Sequence, residues 1–401
     1  MTNTPAIATA PSSRKSPAAE RARGAKSSVL RILTARSTVL AVAAFVLILY
    51  FDEASGGLFI TSTNASLLLR QTAVVAVVAS GVAILIIMGE IDLSVGSAVF
   101  LTGLVAAKCQ VAGWGLIPSI LTALAVGLGL GLVQGIVVTA LAVPAFVVTL
   151  GGLLLWRGVG LIWTDAASIG PVQPNFSSMT EGRTPNAIAV VLAVTLVAIV
   201  AWRAVVKTSH SAVTGQARMV AVAAPVAGAV LAALILLWVA FGDAGLPNAI
   251  LWIAAVMLIL GLVLNAAKFG RRAFMLGSSR DAAVYAGINA PRTVMIGFLL
   301  MGAIYGIGGV MLLARVGTST ADSGVNIEMV AIAAAVIGGN SLRGGMGSIQ
   351  GAVLGAFLLS TIDNGMSLLG VSTYAENIVK ALILVLAVGI DGYFTRRQSL
   401  R

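Results

Sequence analysis

Ionisable side chains are scarce in this chain, so those that interrupt its apolar runs carry the most chemical information. The densest group is Gly89-Glu90-Ile91-Asp92-Leu93-Ser94-Val95-Gly96-Ser97, with two carboxylates, two serines and two glycines. Neither Thr72 to Met88 before it nor Ala98 to Ala107 after it holds a charge. A charged group at the centre of a bilayer costs about 2.5–3.5 kcal/mol on insertion scales, so such groups face a bundle interior or a wet route. Two readings follow. Either the segment is a loop outside the bilayer, with Asp92 or Ser94 capping the next helix. Or it is a helix break whose Glu90, Asp92 and Ser94 line a polar path for a solute, with Gly89 and Gly96 permitting the break.

A second polar, glycine-dense tract runs from Ile337 to Ser348, with Gly338, Gly339, Asn340, Arg343, Gly344, Gly345 and Gly347. Gly89 echoes Gly338, Leu93 echoes Leu342, and Gly96-Ser97 echoes Gly347-Ser348 once two inserted residues are allowed. Paired interruptions of this kind can mark an internal repeat with the pathway between its members. Asp363 and Asn364 stand in a later apolar run and Lys380 early in the next, so Asp363 and Lys380 are expected to pair. Asn340, Asp363 and Asn364 thus join the candidate pathway lining, with helix–helix glue as their alternative role. Arg157 lies late in its run, where it is expected to snorkel to an outer interface.

These residues must be carried by membrane spans. Of 401 residues, 59% are hydrophobic and only 10% charged, and the mean hydropathy is +1.03. A soluble globular domain carries about 25% charged residues. Apolar runs lie near 37–51, 66–88, 93–111, 117–140, 145–164, 187–202, 219–241, 248–267, 293–314, 327–340, 348–370 and 376–392. The expected fold is therefore an all-α polytopic bundle of about 10–12 transmembrane helices, some broken or re-entrant. Forty-five glycines suit close helix–helix approach in lipid.

Residues 1–36 hold seven Lys and Arg against the single acid Glu20 and read as a basic, disordered cytoplasmic tail. The transmembrane domain is expected over 37–392, with a cytoplasmic tail at 393–401. Basic residues concentrate at 203–218, 268–292 and the C-terminus, which places both termini inside. Cys109 is the single cysteine, so no intramolecular disulfide or cysteine metal cluster can form. His210 is the single histidine and stands in a basic loop, so no catalytic constellation and no metal site are expected. No G-x-x-x-x-G-K-[ST] loop occurs. If ATP powers transport, a partner chain binds it, and this chain needs no cofactor of its own.

The longest inside loop, 268–292, contains a segment from Ser279 to Ala286 that suits a short helix, capped by Ser279 and stopped at Gly287. It is either a connector or a knob whose small residues allow close docking on a partner protein.

The motif Glu90 to Ser97, the loop Asp281-Ala-Ala-x-x-Ala-Gly-Ile-Asn289 and the tract Val336 to Ser348 together resemble the ribose/xylose-type family of ABC-transporter permeases. Asp363-Asn-Gly-Met-Ser-Leu-Leu-Gly-Val371, Leu69-Arg-Gln-Thr72 and Val143-Pro-Ala-Phe-Val-Val-Thr-Leu150 look most similar to its D-xylose subgroup. The resemblance runs from about Ser66 to Asp391, and residues 203–246 look like the extra pair of spans of longer members. It implies a monosaccharide importer in a bacterial inner membrane. It also implies a second, identical permease subunit, a cytoplasmic ATPase and an extracytoplasmic sugar-binding protein. Nucleic acid is not an expected partner. Arg280, Asp281, Ala282, Ala283, Gly287, Ile288 and Asn289 match the family's coupling region, which sits in a cleft of the ATPase. Asn340 and Arg343 depart from many relatives, which leaves ribose, galactose or a nucleoside as alternative cargo. An ion-coupled secondary transporter using Glu90, Asp92 and Asp363 is the rival from another class.

Overall fold

A computed structural model describes residues 36–209, 216–243 and 245–399. The basic N-terminal tail before Arg36, His210 and most of its loop lie outside the described residues. The helices are α1 (Arg36–Ala54), α2 (Ser62–Ile87), α3 (Val95–Val111), α4 (Leu116–Ala140), α5 (Ala145–Thr164) and α6 (Pro174–Glu181). Then come α7 (Asn186–Ser209), α8 (Gln216–Gly242), α9 (Ala249–Asn265), α10 (Lys268–Ser278), α11 (Arg280–Tyr285) and α12 (Ala290–Val316). The last are α13 (Ile327–Ile337), α14 (Ile349–Leu368) and α15 (Thr373–Ser399). One small ladder, β1 (Arg183–Thr184) with β2 (Leu246–Pro247), pairs antiparallel and closes the loops around α7 and α8.

Each of the twelve apolar runs is a helix, and the chain is a polytopic helical bundle. Seven described helices are by themselves long and apolar enough to cross a membrane, and α9 with α10 forms a further pair bent by 71°. Helices α3 and α13 are shorter, at 17 and 11 residues. Each is preceded by non-helical chain, residues 88–94 before α3 and 317–326 before α13.

Helix α2 is the axis of the bundle, and most of its apolar stretch is buried. It packs among α9, α12, α13 and α14. Helix α12 crosses α4 at backbone contact, since a β-carbon on Gly127 or Gly131 would collide with the carbonyls of Gly302 and Phe298. Without a hydrophobic drive between helices in lipid, such close approach supplies the dispersion that holds them together. The α7–α8 hairpin is peripheral, with little of either helix buried. It is pinned at one end by a charged cluster: Arg70 bridges Glu181 at 3.0 Å, and Arg183 bridges Asp243.

Candidate pathway and coupling site

Two helix ends set the site. Helix α2 stops at Met88 and Gly89, and α13 stops at Gly338 and Gly339, with the same geometry. Met88 and Gly338 keep right-handed helical angles, and Gly89 and Gly339 turn to φ +81° and +94°. Glu90 N donates to Leu85 O at 2.9 Å, and Asn340 N to Ala335 O at 3.0 Å. The left-handed residue is what glycine supplies without steric cost. Superposing the two ends makes Gly89 equivalent to Gly339 and Glu90 to Asn340. The repeat is therefore one residue out of the register read from the sequence, where Gly89 matched Gly338.

The elbow made by α10 and α11 sits on both ends. A β-carbon at Gly277, near the end of α10, would collide with the Ile87 carbonyl and lie 2.5 Å from Gly345 N. Gly345 N itself donates to Ile87 O at 2.9 Å. Gly344 (φ +83°) and Gly345 (φ +73°) abut Gly277 and Ser278. Arg280 Nη1 reaches Glu90 Oε1 at 3.1 Å, with the Glu90 side chain only 10% exposed. The elbow is thus in backbone contact with both helix breaks and ionically bonded to one.

Beyond Glu90 the chain climbs away from the elbow. Tyr305 lies midway along α12, about 22 Å from its elbow end at 1.5 Å per residue. Its hydroxyl meets Asp92 Oδ2 and lies 2.9 Å from Gln134 Oε1, so its single proton serves one acceptor at a time. Gln134 Nε2 donates to Ser94 Oγ at 2.6 Å, and Ser94 donates through N and Oγ to Asp92 Oδ1 at 2.9 and 2.7 Å. All four side chains are buried. Thr149 Oγ1 donates to Ile91 O at 3.2 Å. Non-helical backbone at membrane depth survives only where neighbouring elements satisfy it, and these side chains do so.

The segment between α12 and α13 is the counterpart from the opposite end. Arg157 Nη1 donates to Ala321 O and Ser323 O at 2.9 and 2.8 Å, with its guanidinium 4.4 Å from the Phe100 ring centroid. Arg157 is thus held by two backbone carbonyls of this segment. The segment delivers Gly324 and Glu328 onto Gly96, where a β-carbon would collide with both. The N-terminal turns of α3 and α13 are therefore in contact. Two positive helix ends in contact repel, and the carboxylates of Asp92 and Glu328 lie where they offset that repulsion.

The remaining sequence candidates separate by access. Asn340 is fully buried: its amide nitrogen donates to Ala335 O at 2.7 Å and its oxygen accepts from Ser348 N at 2.9 Å. Asn364 and Asn64 exchange reciprocal amide bonds at 2.9 and 3.0 Å. Asp363 and Lys380 form an ion pair at 3.1 Å, and Lys380 lines a cavity of about 220 Å³ with Asn326 and Asn377. Glu90 and Arg280 line a larger one of about 530 Å³. Of the six candidate lining residues, Glu90 borders a cavity and Asp363 reaches one through Lys380, whereas Asp92, Ser94, Asn340 and Asn364 are packed away.

In the elbow, Ser279 Oγ accepts from Ala282 N at 3.3 Å, Gly287 takes φ +79°, and Asn289 Oδ1 accepts from Arg292 N at 2.9 Å. Asp281, Ala282 and Gly287 are exposed, Ile288 is half-buried, and Ala283 is buried beneath the turn. Ala283 therefore belongs to the elbow's own packing. The outward knob is Tyr285, 91% exposed, with Val284 beside it. Gln134, Tyr305, Glu328 and Gly277 escaped the sequence reading. The signal for the first two was a polar side chain inside an apolar run, where an unpaired group is costly. Among the described residues no His, Cys, Asp and Glu cluster could hold a metal ion.

Fold and site together define a multi-pass membrane protein in which two broken helices are clamped by one surface elbow. The chain belongs to the permease family described as the branched-chain amino acid transport system / permease component, whose model matches residues 64–388. It is 37% identical to the xylose transport system permease protein of Escherichia coli (strain K12), over 92% of this chain and 95% of that one. It is 32% identical to the ribose import permease protein of the same strain, over 83% and 87%. It is 26% identical to that strain's D-allose transport system permease protein, over 86% and 88%. No solved structure matches the chain significantly.

Proposed function

We propose that this chain is the membrane-spanning subunit of an ATP-driven importer of a monosaccharide in a bacterial inner membrane. D-xylose is the first candidate, on the identity to the xylose permease; ribose, allose, galactose or a nucleoside is the alternative. The observation that carries the reading is the elbow. A partner pressing on Tyr285 and its exposed neighbours would move Gly277 and Arg280, and through them both helix breaks at once. That is the geometry an external ATPase needs to switch access without any chemistry in the membrane chain. The partner ATPase would bind the ATP, an extracytoplasmic binding protein would deliver the sugar, and a second copy of this chain would complete the path. The elbow end is then cytoplasmic, as are both termini.

The test is uptake of labelled pentoses and hexoses into proteoliposomes holding the ATPase and binding protein, with ATP supplied and no ion gradient. ATP-dependent uptake of one sugar is expected. Uptake that ignores ATP and follows a proton or sodium gradient would overturn the reading in favour of a secondary transporter. Cysteines at Ser13 and Ser399, in a Cys109→Ser background, should react with an impermeant thiol reagent in inverted vesicles and not in intact cells.

A further inference from the structure

The cavity of about 530 Å³ at the elbow end is lined by Gly89, Glu90, Thr139, Val143, Phe146 and Arg280, among others. Its volume lies within the range of small-molecule sites, about 300–1,000 Å³. The walls come from four parts of the chain: the end of α2, the α4–α5 connection with the last turn of α4, the elbow, and Pro291 at the start of α12. That turn bends through Ala142, at φ +52°, which throws Pro144 and the 53%-exposed ring of Phe146 to one side. Gly89 leaves a gap, because a β-carbon there would find its nearest neighbour, Gly277 Cα, 4.0 Å away.

The lining is chemically specific. Glu90 and Arg280 neutralise each other, so the cavity offers no net charge to an ion. Both keep hydrogen-bonding capacity. Arg280 engages only one Glu90 oxygen, and its guanidinium has four further N–H groups. Thr139 Oγ1 donates to Gly135 O, which leaves its lone pairs to accept. The apolar side chains of Val143, Pro144 and Phe146 complete the lining. Paired charges with spare donors and acceptors, set against an aromatic face, suit an uncharged, hydroxyl-rich ring. An anion or a cation would have to break the ion pair.

We infer that this cavity is the release subsite of the path, a low-affinity site for an uncharged polyol, with the Glu90–Arg280 pair as its movable wall. The inference rests on the importer reading above and adds to it a place and a selectivity filter. Arg280 belongs to the elbow and Glu90 to the helix break, so any shift of the elbow changes the volume and the polar lining together. A site that dissolves as the elbow moves gives up its solute without ever binding it tightly, which throughput requires.

The test uses residues outside the ion pair. Thr139→Phe and Val143→Phe fill the cavity, and Val143→Ala enlarges it. In proteoliposomes with the ATPase and binding protein, the filled variants should lose uptake at least tenfold while binding-protein-stimulated ATP hydrolysis stays within twofold of the unmutated complex. Val143→Ala should raise the hexose-to-pentose uptake ratio about threefold. Thr139→Cys, in a Cys109→Ser background, should be labelled more slowly when the transported sugar is present at high millimolar concentration. Filled variants that transport normally would overturn the subsite. So would uptake and ATP hydrolysis falling together, which would place Thr139 and Val143 in the coupling machinery. Failure of the unmutated complex to show ATP-dependent uptake would instead overturn the importer reading beneath it.

Discussion

The two helix breaks begin alike and then diverge. Both end in the same left-handed glycine turn, at Gly89 and Gly339, and both touch the elbow through Gly277. The next residue separates them. Glu90 is an anion turned outward to Arg280, whereas Asn340 is a neutral amide spent inside its own turn on Ala335 and Ser348. From Glu90 the backbone climbs to half-height and is held there by borrowed side chains. From Asn340 it folds straight back, through Gly344 and Gly345, into α14. One break is an adjustable joint held by charge, and the other is a hinge stapled from within. The same local signal therefore serves two mechanical roles, decided by one side chain.

The largest effect should come where the breaks share a contact. Gly277→Leu puts a side chain into the backbone of both, beyond the 1–3 kcal/mol usual for overpacking. Little folded protein is expected in detergent gel filtration, and uptake near background. A folded, active variant would show that the elbow does not seat on the breaks.

Next comes the staple. Asn340→Leu strands the Ser348 N–H in a buried site, while the Ala335 carbonyl keeps the backbone N–H of residue 340, a cost on the order of 1–3 kcal/mol. The melting temperature in detergent should fall clearly, whereas Glu90→Gln, close in shape and still able to meet Arg280, should barely move it. Equal losses from both would erase the distinction between staple and joint.

The joint is tested by function. Glu90→Gln and Arg280→Gln should each lower uptake about tenfold at normal protein level, a loss of roughly 1.4 kcal/mol of coupling. The exchanged pair Glu90→Arg with Arg280→Glu should recover most of it. Asp92→Asn should cost less, since Asn accepts from Ser94 N about as well as Asp in a capping position. A swap no better than its worst single member would deny the pair any role in transmission.

The smallest effect belongs to a region remote from both breaks. Burial raises the Asp243 carboxyl, but its hydrogen bonds to Arg183 and Ser66, with the charges of Arg183 and Arg70, outweigh that and hold it below the usual carboxylate range. A lowered folded pKa stabilises above the unfolded pKa, and that stabilisation is lost as pH falls through the folded value. Thermal stability should therefore be insensitive to this group at neutral pH and decline in acid. Asp243→Asn should flatten that decline by a small amount and leave uptake unchanged at neutral pH. An unchanged acid limb would mean that the cluster does not anchor the α7–α8 hairpin.

The helical class, the apolar runs and the polar tracts that end α2 and α13 were legible in the sequence, because lipid imposes length and hydrophobicity on every span and glycine-dense polar tracts do not readily continue a helix. Seven described helices, or eight with the bent pair, are long and apolar enough to cross, fewer than the 10–12 expected. The short helix of the elbow was legible for the same local reasons, from Ser279 as a cap and Gly287 as a stop, whereas the cap at Asn289 was seen only in the structure. The Asp363–Lys380 pair was expected from the sequence, but the partners of most other buried polar residues were decided only by tertiary structure. Asp92 and Ser94 point at Gln134 and Tyr305, which lie some 40 and 210 positions away in the chain. Arg157 serves carbonyls more than 160 residues distant. Ala283 turned inward because the elbow folds over it. Local periodicity reports which backbone can exist in lipid, but the partner of a buried polar group is set by which helices meet, and that depends on contacts between segments far apart in sequence.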